Sequence, residues 1–281
     1  MVLGVHCPVA AGFIEALRLA RELSCAAMQM LPYRRHADPG EAELAGFRAA
    51  RESSPVRCLL THSRYVPSLG SGDKARRRHS IELLQRELRL SAALGAQSHV
   101  LHAGAWSEGS SREEALRLAG EAVVAAMERG GAVEVLFENV AGGGRRMGGA
   151  LEDLAQLLEA ARGAAKPCGV CIDTAHAWAA GWGISGAEGM LVFLERVHRV
   201  VGAGRVRAFH LNDTLSGLGS QRENHTSWGR GFLGREGLKA LLARPEYADR
   251  PGIIESPWGS CSEASDLTYV RGLSAGPPSR Q

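Results

Sequence analysis

Lysine is almost missing from this chain: only Lys74, Lys166 and Lys239 stand among 33 basic residues, and arginine supplies the rest. Acidic residues number 30, so the formal net charge is only +3. So weak a field cannot select a polyanion by itself, and any nucleic-acid contact has to rest on local clusters of arginine. Arginine does suit bidentate phosphate contacts, but genomic base composition produces the same bias, and the bias alone decides nothing.

Long apolar runs are missing too. None approaches the ~18 consecutive apolar residues of a membrane span. The first twenty residues carry no basic segment before Arg18 and include Glu15, which is unlike a signal peptide. A cytoplasmic protein with no membrane partner is expected. Cysteine is sparse, six residues in 281, which sets aside a disulfide scaffold. Cys168 and Cys171 form one CxxC, and no second pair completes a site of four thiolates. Cys171 lies inside the apolar run 169–172 and reads as a buried strand residue. The glycine-rich stretch 141–149 lacks the GK[ST] ending of a phosphate-cradling loop. It reads as a turn, and no nucleotide cofactor is expected.

What is present is alternation. Short apolar, β-branched runs at 2–6, 26–30, 57–61, 98–102, 134–138, 169–173, 205–210 and 252–255 alternate with amphipathic stretches. The latter lie near 12–23, 41–51, 79–94, 112–129, 151–162, 187–201, 235–243 and 263–273. Repeated βα units of this kind predict an α/β fold, a single (β/α)8 TIM barrel. No linker divides the chain, so residues 1–274 are expected to form one domain and the tail 275–281 to fray.

Active sites of such barrels are built at the carboxyl ends of the strands. Six successive strands end in His62, His102, Glu138, Asp173, His210 and Glu255. Carboxylates crowded into one mouth repel unless cations neutralise them, and imidazole with carboxylate suits zinc, manganese or iron. Asp173-Thr-Ala-His176 adds an imidazole in the tight turn after strand six. His210-Leu-Asn-Asp213 and the loop pair Glu223 and His225 extend the cluster further.

In these stretches the chain resembles the endonuclease IV family of zinc-dependent abasic-site endonucleases. The resemblance runs through His62-Ser-Arg-Tyr65, Phe137-Glu-Asn-Val-Ala-Gly142, Cys171-Ile-Asp-Thr-Ala-His-Ala-Trp-Ala-Ala-Gly181, Phe209-His-Leu-Asn-Asp213, Gly219-Ser220 through His225 to Gly229, and Ile253-Ile-Glu-Ser256. It implies a barrel holding three Zn2+ ions, with Mn2+ or Fe2+ as alternatives. His62, His102 and Glu138 would hold the first ion. Glu138 would bridge to a second completed by Asp173, His210 and Glu255, and His176, Glu223 and His225 would hold the third. The resemblance also implies hydrolysis of duplex DNA on the 5′ side of an abasic site, leaving a 3′-hydroxyl, with Glu138 and Glu255 catalytic and the lesion rotated out of the helix.

Tyr65 matches the family position that inserts into the DNA stack. Arg34, Arg35, Arg145, Arg146, Arg222 and Arg230 are expected to meet phosphates from the loops, whereas Arg76–Arg78 either do the same or open the exposed face of their helix. The chain departs from the family at Glu223, where aspartate is usual, and at Ala103, where proline is usual. Arg64 and Arg230 are also atypical. Glu223 puts the third ion's geometry and occupancy in question, because one added methylene moves the carboxylate by more than ~1 Å.

The other histidines receive plainer readings. His198 is expected on a helix surface, His99 on the strand face opposite His102, His36 and His79 beside arginines, and His6 in the mouth near DNA or the ligands. Two rival functions share the barrel. A single-metal sugar isomerase or epimerase needs only Glu138, Asp173, His210 and Glu255, and leaves four histidines idle. A catalytically inactive DNA-damage binding protein would be expected to have lost ligands. Nothing in the sequence demands more than a monomer.

Overall fold

The computed structural model describes residues 1–35, 38–131, 133–256 and 262–274. The expected tail 275–281, His36 and Cys261 lie outside the described residues. Eight parallel strands close into a barrel: β1 (Val2–His6), β2 (Ala27–Met30), β3 (Cys58–His62), β4 (Ser98–His102), β5 (Glu134–Glu138), β6 (Gly169–Asp173), β7 (Val206–His210) and, last in the chain, β10 (Pro251–Ile254). Two-residue strands β8 (Asp213–Thr214) and β9 (His225–Thr226) form a separate antiparallel ribbon.

Helices pack outside the barrel, each placed by its apolar spacing; α1 (Phe13–Glu22) and α2 (Glu41–Glu52) precede the two longest, and α5 (Leu151–Ala160) follows them. In α4 (Arg112–Gly130), Ala115, Ala119, Ala122, Val123 and Ala126 are buried, and Ser111 caps the helix by accepting from the Glu114 N–H at 3.1 Å. The third major helix, α3 (Lys74–Ala93), begins five residues earlier than the periodicity at 79–94 predicts. Asp73 explains this, because its carboxylate accepts from the N–H groups of Ala75 and Arg76 and starts the helix there. Arg76–Arg78 therefore stand in the first two turns of α3.

The register of the barrel positions the site. Eight apolar side chains, one per strand, fill the interior as one layer: Val2, Ala27, Leu60, Val100, Leu136, Cys171, Ala208 and Ile253. Strand side chains on one face recur every second residue. Two residues beyond that layer, seven strands present Gln29, His62, His102, Glu138, Asp173, His210 and Glu255 toward the mouth. Cα register pairs His102 with Glu138 and Asp173 with His210, so these groups leave the barrel at one level. On the first strand His6 pairs in register with Gln29, and below it Gly4 lies level with Ala27 and Ile253, where a Cβ would be 1.9 Å from the Ala27 carbonyl oxygen; only glycine fits.

Candidate metal centre

Three groups of donor atoms converge at this level. His62, His102 and Glu138 form the first, Glu138, Asp173, His210 and Glu255 the second, and Asp173, His176 and His225 the third; within each, the atoms lie within 4.8 Å of one another. In the first group the Nε2 atoms of His62 and His102 each stand 3.0 Å from Glu138 Oε2. In the second, His210 Nδ1 is 2.9 Å from Glu138 Oε1, 3.4 Å from Glu255 Oε2 and 4.0 Å from Asp173 Oδ2. Glu138 thus turns one carboxylate oxygen to each group. In the third, His225 Nε2 is 3.8 Å from Asp173 Oδ2.

His176 is brought there by a feature the sequence pattern did not reveal. The expected tight turn after β6 is a short helix, α6 (Thr174–Ala179), capped by Asp173, whose Oδ1 accepts from the His176 N–H at 2.7 Å. One carboxylate therefore caps the helix that carries its neighbouring ligand.

The rings are held from behind. His62 Nδ1–H donates to the Ser63 carbonyl at 2.8 Å, His176 Nδ1–H to the Asn139 carbonyl at 2.9 Å, and His210 Nε2–H to Gln29 Oε1 at 2.9 Å. Each donation turns the other ring nitrogen, with its lone pair, toward the carboxylates. The Nε2 atoms of His176 and His225 are buried without a hydrogen bond; His176 Nε2 lies 2.8 Å from Glu223 Oε1 but out of line for one.

Lone pairs aimed at carboxylates require a cation between them. In a tetrahedral site with ligand bonds of ~2.0–2.1 Å, donor atoms lie about 3.3 Å apart, within the spacings seen here. The residues therefore fit divalent transition metals, and the donor chemistry is that of zinc, manganese or iron.

The electrostatics point the same way. Burial pushes Glu138 up, yet His210 and His102 outweigh it and hold it well below the usual carboxylate range. Burial likewise opposes ionisation of Glu255, which the His210 imidazole reverses. His176 and His210 are driven down by burial but raised well above the ordinary imidazole value by the acidic groups around them. Glu223 is pulled down to about 2, chiefly by His176. Each buried, unpaired carboxylate would cost several kcal/mol, so the cluster is stable only with positive charge inside it.

A family model described as a xylose isomerase-like TIM barrel matches residues 17–274. A probable endonuclease 4 from Nitratidesulfovibrio vulgaris is 34% identical over 280 residues, covering 96% of this chain and 98% of that protein. The chain belongs to the endonuclease IV family. Another relative, endonuclease 4 of Thermus thermophilus, is 37% identical over 233 residues, covering 82% of this chain and 80% of its own. A crystal structure of endonuclease IV from Thermus thermophilus matches with a TM-score of 0.84 at 32% identity over 97% of this chain and 98% of that one. A D-tagatose 3-epimerase-like protein, with a TM-score of 0.71 and 16% identity over 97% and 95% of the two chains, shares the fold alone.

In this endonuclease IV family member all nine residues named as ligands gather at one mouth, with two differences. Asp173 joins the third group as well as the second, and Glu223, 45% exposed, approaches that group from its edge. Asp213 is no ligand. Its carboxylate accepts from the N–H groups of Thr214, Gly229, Gly231 and Leu233 at 2.8–3.1 Å and shapes the loop between β7 and β10.

Two cavities meet over the cluster at Val66, His102 and Glu223. The larger, about 800 Å³, is lined by His6, Arg35, His62, Tyr65, His225 and Glu255 among others. The smaller, about 540 Å³, includes Arg76, Trp106, Arg145 and Arg146. Tyr65 is 61% exposed. Arg34 is engaged by the Glu43 carboxylate, and Arg222 and Arg230 are exposed outside these two cavities. Arg64 donates to the Tyr33 carbonyl at 2.7 Å and lies 5.1 Å from that ring.

His99 does face away from the mouth. It is buried between β4 and α3, hydrogen-bonded to Thr61 and Ser63 beside Glu87. Ser63 Oγ and the Arg64 N–H donate to Glu87, which fixes the turn carrying His62 and Tyr65. The expectation of a surface His198 needs correction: it is partly buried and paired with the Tyr247 hydroxyl. Cys171 is buried in β6 as expected, and burial pushes its thiol up to about 11.

Sequence reasoning missed Gln29, Asn139 and Asn212. Asn139 brackets the Asp173 backbone, accepting from its N–H and donating to its carbonyl. Asn212 donates to Asp173 Oδ2 at 2.6 Å and to Glu255 Oε2 at 3.1 Å. Amides are neither charged nor common metal ligands, so residue type gave no signal. Position would have found Gln29, which stands two residues beyond the apolar layer in β2 as His62 does in the neighbouring β3.

Proposed function

We propose that this protein is a DNA repair endonuclease that hydrolyses the phosphodiester 5′ to abasic sites in duplex DNA, leaving a 3′-hydroxyl. The observation that carries the reading is the trio of adjoining ligand groups, which share Glu138 and Asp173. A sugar isomerase has work for the second group only. The inactive-binder alternative is disfavoured because every ligand position is filled by a ligand residue.

Three Zn2+ ions are assigned to the site: His62, His102 and Glu138 for one, Glu138, Asp173, His210 and Glu255 for another, and His176, His225 and Glu223 with Asp173 for the last. Bound divalent ions supply Lewis acidity at a phosphoryl group and ease formation of a nucleophile from water near neutral pH. The chain does the rest. Glu138 and Glu255 are assigned as the catalytic carboxylates, the first because its oxygens face two groups, the second because it also lines the larger cavity.

Tyr65, exposed at the rim, fills the gap in the stack where a base is missing, and Arg35, Arg145 and Arg146 hold phosphates along the two cavities. Arg34, Arg222 and Arg230 contact the backbone further out. The protein acts as a cytoplasmic monomer; among the described residues no helix is long and apolar enough to cross a membrane. The test is nicking of a duplex with one abasic site by the metal-loaded protein, beside elemental analysis. Cleavage at the lesion alone with more than one ion per chain is expected. A single ion per chain with turnover of a ketose or aldose would falsify the reading.

A further inference from the structure

Gln29 is fully buried at the centre of the barrel mouth, and its amide is completely used. Its Nε2 donates to Glu255 Oε1 at 2.8 Å and to His6 Nδ1 at 3.0 Å, while its Oε1 accepts from His210 Nε2 at 2.9 Å. The amide cannot be turned over: the reversed orientation would set its oxygen against the Glu255 carboxylate oxygen 2.8 Å away, acceptor against acceptor.

This single orientation has two consequences. His210 must carry its proton on Nε2, which leaves the Nδ1 lone pair facing Glu138, Asp173 and Glu255. His6 must accept at Nδ1, so its proton sits on Nε2. That nitrogen makes no hydrogen bond among the described residues, and the ring is 16% exposed where it lines the larger cavity beside Glu255.

We propose that Gln29 is a positioning residue that sets the tautomers of two histidines at once, holding His210 as an Nδ1 ligand and presenting His6 Nε2–H to the cavity as a donor to a phosphate oxygen of the strand being cut. The His6 half rests on the endonuclease reading; the Gln29 half does not. The amide thus ties the second ligand group to the wall that meets the substrate.

The test begins with the unmutated, zinc-loaded protein carrying 15N-labelled histidine. Long-range 1H–15N spectra are expected to give Nε2–H tautomers for both His6 and His210. An Nδ1–H tautomer at His6 overturns the proposal without any variant. In Gln29→Met, of similar shape but unable to donate or accept, His6 is expected to become a mixture of tautomers and zinc affinity, read by competition with a chelator, to fall about 10–100-fold. Unchanged tautomers and affinity in a folded Gln29→Met protein would sink the Gln29 role. His6→Ala is expected to keep its zinc and lose about 10²-fold in kcat on the abasic duplex, as for the loss of one preorganised donor, with His6→Gln recovering part of the loss. Equal rates for His6→Ala and the unmutated enzyme would remove the phosphate role. If the unmutated protein cuts no abasic duplex, the endonuclease reading fails with the His6 role, while spectra and chelator competition still decide on Gln29.

Discussion

The inner and outer parts of the candidate metal centre are built by different means. His62, His102, Glu138, Asp173, His210 and Glu255 all leave the barrel at strand ends, one register step above a closed apolar layer. His176 instead rides on the 6-residue helix α6, and His225 stands on the two-residue strand β9 beside the half-exposed Glu223. Strand register fixes the inner donors because slipping one residue would turn a whole strand's side chains over. The outer donors depend on a cap and a loop, and Glu223 reaches them from a half-exposed loop position.

The largest effect is expected from breaking the inner part. Glu138→Ala should lose metal from two groups and reduce kcat/KM on an abasic duplex by roughly 10³-fold or more, several kcal/mol of transition-state stabilisation. His225→Ala should lose less metal. Equal metal loss in the two variants, by elemental analysis, would erase the proposed difference between inner and outer groups.

Tyr65 tests the rim while sparing the metals. Tyr65→Ala should slow cleavage by about 1–3 kcal/mol, the worth of one base-stacking contact, at unchanged metal content. Steady-state rates with elemental analysis check this, and binding should weaken steeply with salt because neutralised phosphates release counterions.

Acidity sharpens the comparison through stability. In the metal-free protein, burial lowers His62, His176 and His210, but acidic neighbours outweigh it and raise all three above 6.5. Burial raises Glu138 and Glu255, and the surrounding histidines outweigh it to hold both below 4.5. The histidine contribution is therefore complete below pH 6.5 and lost as pH rises through the raised values; the carboxylate contribution is complete above pH 4.5 and lost as pH falls. Metal-free protein should be most stable between those limits, and its melting temperature should fall as pH is raised through the alkaline range. Metal-loaded protein, with cations in place of protons, should not show that alkaline loss in a calorimeter.

The smallest effect is expected at Glu223. Glu223→Asp should bind metal at least as tightly and cut at an equal or higher rate, whereas Glu223→Ala should lose metal from the third group. An alanine variant with unchanged metal content and rate would show that Glu223 is no ligand.

The barrel and the gathering of the inner donor side chains at its mouth could be read from the sequence because both follow simple periods: apolar runs alternating with helices, and His, Asp or Glu at strand ends. Three things could not. The helix α6 is too short and too buried to show a polar face, with Thr174, Ala175, His176, Ala177 and Ala179 all buried. Asp213 has the chemistry of a ligand and is spent on backbone amides, a choice made only by tertiary geometry. Gln29, Asn139 and Asn212 act through orientation, which composition and spacing do not encode.

The grip of Asp213 on the loop between β7 and β10 bears on how this protein can evolve. One buried carboxylate holds main-chain amides at four positions, and beside it Gly231 leaves no room for a side chain, since a Cβ there would lie 2.3 Å from Asp213 Oδ1. Because the hold is on backbone, the exposed side chains Leu215, Leu218, Arg222, Arg230 and Phe232 can change while the loop keeps its course. Lineages can therefore trial new contacts beside the outer donor side chains one mutation at a time without unmaking the barrel beneath them.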